Sequence, residues 1–449
     1  MTEMTMEQIE ELFKNKDYPS LRRIIEDEEP ADVAAVLQEL SDEEALVLFR
    51  IIPKDLAAET FVEMESDLQL SFIEKFSDRE ITEMLDEMFV DDTVDIIEEM
   101  PANVVRRILA NSPPETRSQI NQILKYPKDS AGSIMTTEFV ELRPHTTVGE
   151  AFERIRATGV DKETIYTCYV TDDSRELIGV VTVKDMLLGG NDIEISDIME
   201  TAIISADTHM DKEEVVKLLD KYDFLALPVV DTEGRLVGII TFDDAMDVMR
   251  EEDTEDIAKM AAITPTEKPY LRTGIFETFF SRIPWLLLLM VSATLSSNIL
   301  LHYEAALAVV PVLTAYIPML MGTGGNAGSQ ASVTIIRGLS LGEIEMRDII
   351  RVIWKEIRVS VLCGIVLAIV NFAKMMIFDD VGMVVSAAVC VTLVLTVLIA
   401  KVAGCSLPIL VKRIGLDPAV MASPFITTIV DCISLLVYVN AAGLMLSGS

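Results

Sequence analysis

The sequence predicts a multi-domain chain: an all-α helical-repeat N-terminal domain, a tandem α/β pair, and a five-helix α-helical transmembrane domain. Three observations predict it. Charge is segregated, because residues 1–270 hold 63 of the 73 acids against 26 bases, whereas residues 271–449 hold 10 acids and 11 bases. An internal repeat occupies the middle of the chain. Long charge-free runs occupy its end.

The apolar runs come first because they fix where the rest of the chain resides. Residues 283–301, 305–336, 359–378, 381–411 and 418–449 are each long enough to span a bilayer, with Lys374, Lys401 and Asp431 their few charges. Arg282, the stretch from Arg337 to Arg358, and Lys412–Arg413 fall on the same side as the acidic half, and the alternate connections carry no Lys or Arg. The N-terminus is therefore expected in the cytoplasm and the C-terminus outside. The start, MTEMTMEQIEELF, is acidic and has no apolar core, so it does not read as a signal peptide.

Residues 1–130 read as short helices repeating about every 12 residues, with Pro30, Pro53, Pro101 and Pro113–Pro114 at helix starts or loops. In residues 131–195 and 196–250 the repeat is explicit. IMTTEFVELRPHTTVGEAF recurs as IMETAIISADTHMDKEEVV, and CYVTDDSRELIGVVTVKDML recurs as PVVDTEGRLVGIITFDDAMD. Each copy reads strand, helix, strand, turn, strand, helix, which resembles a tandem CBS pair. In nucleotide-binding CBS pairs, residues matching Thr182 and Thr241 contact phosphate, and those matching Asp185 and Asp244 contact ribose. The alternative is that both threonines simply cap the helices that follow.

Residues 251–282 form a connecting region, and residues 242–262 read as one helix crowded with acids. Like charges at helical spacing destabilise a helix, so a cation is expected nearby. A divalent ion suits carboxylates, and Lys or Arg from a neighbouring element is the alternative. In residues 283–449, Asp431 is the one acid inside the apolar runs, with Thr427 and Ser434 on the same helical stripe. An ionisable group in a bilayer is a functional candidate by default. The alternative is a bridge to Lys374, Lys401 or Arg358, although Lys374 and Lys401 read as snorkelling from helix ends. The segment YIPMLMGTGGNAGSQAS offers Asn326 and, where its glycines loosen the helix, free carbonyls. Close packing through small residues is the other reading.

GTGGNAGSQ, PFITTIVD and TEDIAKM, in this domain order, resemble the MgtE-type magnesium channels along essentially the whole chain. The resemblance implies a magnesium-selective, Mg2+-gated homodimeric channel in an inner membrane, with membrane lipid around it. Asp431 would bind the hydrated ion, with Asn326, Thr427 and Ser423 around the filter. Regulatory Mg2+ would bind Asp91, Asp95, Asp223, Asp244, Asp247, Glu252, Glu255 and Asp256, and the connecting helix would plug the pore. ATP at the CBS pair is implied as a modulator. Ser329 and Ser423 depart from the Asn that family members often carry. Alternatives are an ion-coupled carrier of Mg2+, Mn2+ or Co2+, and a nucleotide-sensing membrane protein. An enzyme is disfavoured because no nucleophile–base or metal-ligand cluster is visible, and the strongly acidic balance disfavours nucleic acid.

Overall fold

The computed structural model describes residues 6–266, 270–271, 273–303, 312–379, 381–421 and 423–446, arranged as two compact units that divide at 249/250. The first unit opens with ten short helices, α1–α10, between Met6 and Ile123. From α3 onward their first residues are Pro30, Asp42, Lys54, Ser66, Asp78, Val90, Ala102 and Pro114, which are twelve apart throughout. Local chemistry fixes that period. Pro30 and Pro114 occupy first-turn positions where a missing N–H costs nothing. Ser41 and Ser77 close capping boxes with Glu44 and Glu80. A helix this short cannot hold itself in water. Stacking supplies the stability, because α3 packs on α5, α5 on α7 and α7 on α9. Phe49, Phe61, Phe72 and Phe76 form its aromatic centre.

Two three-stranded sheets follow. β1 (Glu141–Leu142), β2 (Thr167–Thr171) and β3 (Leu177–Thr182) make the first, and β4 (Ala206–Asp207), β5 (Ala226–Val230) and β6 (Leu236–Thr241) the second. In each, the short first strand runs parallel to the second, and the second antiparallel to the third. Duplication extends to the irregularities. Register shifts fall at Val170/Thr171 and at Val229/Val230, and Asp172 and Asp231 organise matching turns by accepting backbone N–H bonds. Helices α11 (Val148–Thr158), α12 (Val183–Leu188), α13 (Ile195–Ile198) and α14 (Lys212–Tyr222) complete the pair. The core of the helical stack is continuous with that of the second sheet through Met135, Leu227 and Ile240.

α15 (Phe242–Met260) matches the expected acidic helix. The described residues of the second unit then form five α-helices of 24 to 31 residues: α16 (Ile275–His302), α17 (Val312–Ser340), α18 (Ile349–Ile377), α19 (Met383–Arg413) and α20 (Ser423–Leu446). By length and composition, α16, the stretch Met346–Ile377 and α19 could each cross a membrane. α19 is the central element and packs against α17, α18 and α20.

Two expectations are corrected here. α17 runs unbroken through Pro318 and all its glycines, so the glycines free no carbonyls for ions. They act in packing instead: a Cβ on Gly325 would fall 2.9 Å from Thr427 of α20, and one on Gly328 would fall 2.8 Å from Ile426. Second, α18 begins ten residues before the charge-free run, which brings Glu356 into the helix bundle. Lys401 does not snorkel; it is buried and paired with Glu356 at 3.5 Å.

The tightest helix crossing tests this account of the glycines. A Cβ on Gly404 of α19 would collide with the carbonyl of Gly328 on α17, whereas one on Gly322 would meet nothing. Gly404→Ala should destabilise the protein in detergent by about 2 kcal/mol through overpacking. Gly322→Ala should leave the thermal midpoint unchanged or raise it. Equal midpoints for the two variants would contradict the packing role.

Candidate functional site

Two groups of carboxylates stand out, one in each unit. The first gathers Asp91, Asp92 and Asp95 of α8 (Val90–Glu99), Glu138, Glu163, and Asp243 and Asp244 of α15. Helix termini bring them there: Asp91 and Asp92 occupy the first turn of α8, and Asp243 and Asp244 the first turn of α15. Acids are at home at these positively polarised ends. Glu138 accepts the Val90 N–H at 3.0 Å, and Thr241 donates to Asp244.

This compensation is incomplete. Burial, then the neighbouring charges, push Asp92 up to about 8 and Glu163 up to about 9. The same causes lift Asp91 to about 6 and Asp244 to about 7. Asp91 Oδ1 is buried without a hydrogen-bond partner. A cation would relieve all four groups, and the donors are the hard oxygens that Mg2+ prefers. Among the described residues no three carboxylates converge as a direct coordination shell.

Of the expected regulatory residues, Asp91, Asp95 and Asp244 come together. Asp223 is an exposed C-cap of α14 in the left-handed region, φ 54°. Asp247 is exposed further along α15. Glu252, Glu255 and Asp256 lie on the part of α15 belonging to the second unit. There Lys259 supplies the positive charge: it bridges Glu255 at 2.5 Å and Asp417 at 2.7 Å. Met260 packs beside Ile336 and Ala419. Sequence reasoning missed Asp92, Glu138 and Glu163; for Asp92 the doubled acid of VDDTVD was the available signal.

The expected nucleotide residues are occupied with one another. Thr182 caps α12 in a capping box with Asp185, and Thr241 donates to Asp244, so the capping alternative describes their observed bonding.

The second group centres on Asp431, half-buried on α20 with its Oδ1 lacking a hydrogen-bond partner. The expected rival partners are engaged elsewhere: Lys374 with Asp379 at 2.6 Å, Lys401 with Glu356, and Arg358 over the Trp354 ring. Thr427, one turn before Asp431, lies 3.4 Å from Ser329 of α17. Asn326 is on the exposed face of α17. Ser423 is the first residue of α20, and its side chain lies outside the described residues.

Comparison with known proteins agrees along the whole chain. The family model for the MgtE divalent cation transporter matches residues 317–441, that for the MgtE intracellular N domain matches 28–129, and the CBS domain model matches 131–189 and 195–251. The magnesium transporter MgtE of Thermus thermophilus is 35% identical over 99% of both chains. That of Bacillus subtilis is 32% identical over 96% of this chain and 95% of its own. The solved cytosolic domain of the Mg2+ channel MgtE in complex with ATP is 33% identical, with a TM-score of 0.52; it covers 54% of this chain and all of its own. An inosine-5'-monophosphate dehydrogenase of Nitrosopumilus maritimus is 29% identical over 28% of this chain and 25% of its own.

The raised carboxyl groups set the pH dependence of stability. Folding holds protons on Asp91, Asp244, Asp92 and Glu163 up to about pH 6, 7, 8 and 9, whereas the unfolded chain releases them near 4. The folded state binds more protons across that window, so stability is greatest at its acid end and falls as pH rises through it. In EDTA, the full chain should melt progressively lower between about pH 6 and about pH 9, and Asp92→Asn with Glu163→Gln should flatten the trend. A midpoint that rises with pH would contradict this assignment.

Proposed function

Because the chain belongs to the MgtE family of magnesium transporters, sharing 35% identity with the Thermus thermophilus member over 99% of both chains, we propose that it is a magnesium-gated, magnesium-selective channel. Transport of Mg2+ is the activity of the family, and the chain is not an enzyme. The observation that carries the channel reading is Asp431: a carboxylate among apolar helices, one oxygen buried without a donor, each candidate cationic side chain committed elsewhere. Such a group demands a cation from outside the protein. The nearby hydroxyls of Thr427 and Ser329 are neutral and hard, which favours an ion that retains most of its water, and Asn326 on the exposed face of α17 is a further candidate ligand. All five helices, α16–α20, span the membrane in this reading, with the N-terminus inside and the C-terminus outside. The pore lies between the membrane units of a homodimer, in an inner membrane.

Gating follows from the acidic cluster. Mg2+ that binds only where Asp91, Asp92, Glu163 and Asp244 are held together shifts the population toward that arrangement. Asp244 opens α15, and Lys259 near the other end of the same helix bonds Asp417, six residues before α20 begins. Mg2+ at the cluster, with Asp95 beside it, thereby closes the pore carrying Asp431; Asp223, Asp247, Glu252 and Asp256 lie apart from the cluster and would serve further regulatory Mg2+. ATP is proposed at the CBS pair, supported by the ATP complex of the related cytosolic domain. Its binding would require Thr182, Asp185, Thr241 and Asp244 to exchange their mutual bonds for the nucleotide.

A carrier remains the second reading, favoured by one observation: Glu356 is a further buried titratable group among the helices. It predicts uphill Mg2+ movement driven by a proton or sodium gradient, whereas the channel reading predicts only downhill flux. In proteoliposomes the protein should pass Mg2+ without a second gradient, and Asp431→Ala should reduce that flux at least about tenfold, the factor corresponding to 1.4 kcal/mol. Undiminished flux in the variant would remove Asp431 from the path. Millimolar Mg2+ should also slow proteolysis of the first unit. Protection by ATP alone would favour the nucleotide-sensor reading instead.

A further inference from the structure

An open groove of about 700 Å³ runs between α17 and α18, with Lys401 of α19 on its wall. Its wall sets Ser329, Gln330, Thr334, Glu356 and Lys401 among the apolar Ala331, Val333 and Val359. The Lys401 and Glu356 side chains are only 8% and 12% exposed, yet their charged atoms stand 3.5 Å apart. Charge-assisted hydrogen bonds are ordinarily about 2.7–2.9 Å. A pair that has lost its water without close contact recovers little of its desolvation cost. Its retention is better explained by the pair opening than by its strength.

One residue of the groove also lies near the Asp431 helix. Ser329 lines the groove and lies 3.4 Å from Thr427, one helical turn from Asp431. Of the other charges of α18, Arg351 bonds Asp348, Arg358 lies over Trp354 and Lys374 bonds Asp379, none of them on this wall. A phosphate or lipid headgroup would face the Glu356 carboxylate. A hydrated divalent cation would meet one carboxylate, one carboxamide and two hydroxyls.

Resting on the channel reading above, we propose that Glu356 is a second station for the hydrated divalent cation, beside the Asp431 site, and that Lys401 is its tethered competitor. The ammonium neutralises Glu356 when no ion is present. It gives way as the cation arrives, and by returning it helps the ion leave. Conduction needs such sites to bind strongly enough for entry and weakly enough for exit.

The test measures Mg2+ flux against Mg2+ concentration in proteoliposomes for the wild type, Glu356→Gln, Lys401→Met and the double variant. Glu356→Gln should raise the half-saturating concentration about tenfold. Lys401→Met should shift it the opposite way and lower the maximal flux, because the ion is held longer. If both single variants lose flux alike and the double variant regains wild-type behaviour, the pair is only structural and the proposal fails; unchanged half-saturation in all three also overturns it. Should Glu356→Gln not fold, as judged by its melting curve in detergent, Glu356→Asp replaces it and should give a smaller shift in the same direction, and no shift would overturn the proposal. A wild type that passes no Mg2+ would instead defeat the channel reading itself.

Discussion

Taking a carboxylate out of water costs several kcal/mol unless charge or hydrogen-bond donors replace the lost hydration. Each functional element of this protein meets that cost in its own way. Glu255 and Asp417 share the Lys259 ammonium. Glu356 takes Lys401. Asp91, Asp92 and Asp244 draw on helix N-termini and on protons, since their pKa values are raised to between about 6 and about 8. For Asp431 no replacement is built in on its buried oxygen. The Lys259 tie is internal to the protein, whereas the Glu356–Lys401 pair is the one proposed above to open for the ion. The acidic cluster and Asp431 are the places proposed above for regulation and passage.

The same constraint explains the division of labour between backbone and side chains in the second unit. Because α17 stays helical through every glycine, the glycine segment does not release its carbonyls as ligands. The glycines instead remove side chains where α19 and α20 approach, at Gly324, Gly325 and Gly328. Close approach sets Thr427 beside Ser329 and leaves hydroxyls and carboxylates as the available oxygens. Recognition by a few side chains in a roomy setting suits a hydrated ion. A stripped ion would need a closer ring of ligands.

What was legible in the sequence follows the range of the interactions involved. The twelve-residue helical repeat, the duplicated sheets and the acidic helix are written locally, in caps, turns and periodicity, and the structure reproduces them down to matching register shifts at Val170 and Val229. Asp431 was legible because a lone acid in an apolar run needs no tertiary information to be anomalous. Glu356 was not, since charged residues mark the end of a charge-free run without ending the helix, and α18 continues past them to Ile349. Its partner Lys401 lies 45 residues away on another helix. Likewise, Glu163 joins Asp91 and Asp244 only after the helical repeats and both sheets have packed, so no spacing rule could have found it.

The placement of Asp244 gives the proposed gating its economy. It is bonded by Thr241, its charge is opposed by Asp91 and Asp243, and it belongs to the first turn of α15. A nucleotide that recruited Thr241 would remove one donor from Asp244, and a cation at the cluster would remove the repulsion. Both ligands would therefore act on one carboxylate, at the head of a 19-residue helix. Near the tail of that helix Lys259 holds Asp417, which accepts the Ala419 N–H in the turn leading into α20. In the proposed gating, α15 is the element that joins the cluster to the turn before α20.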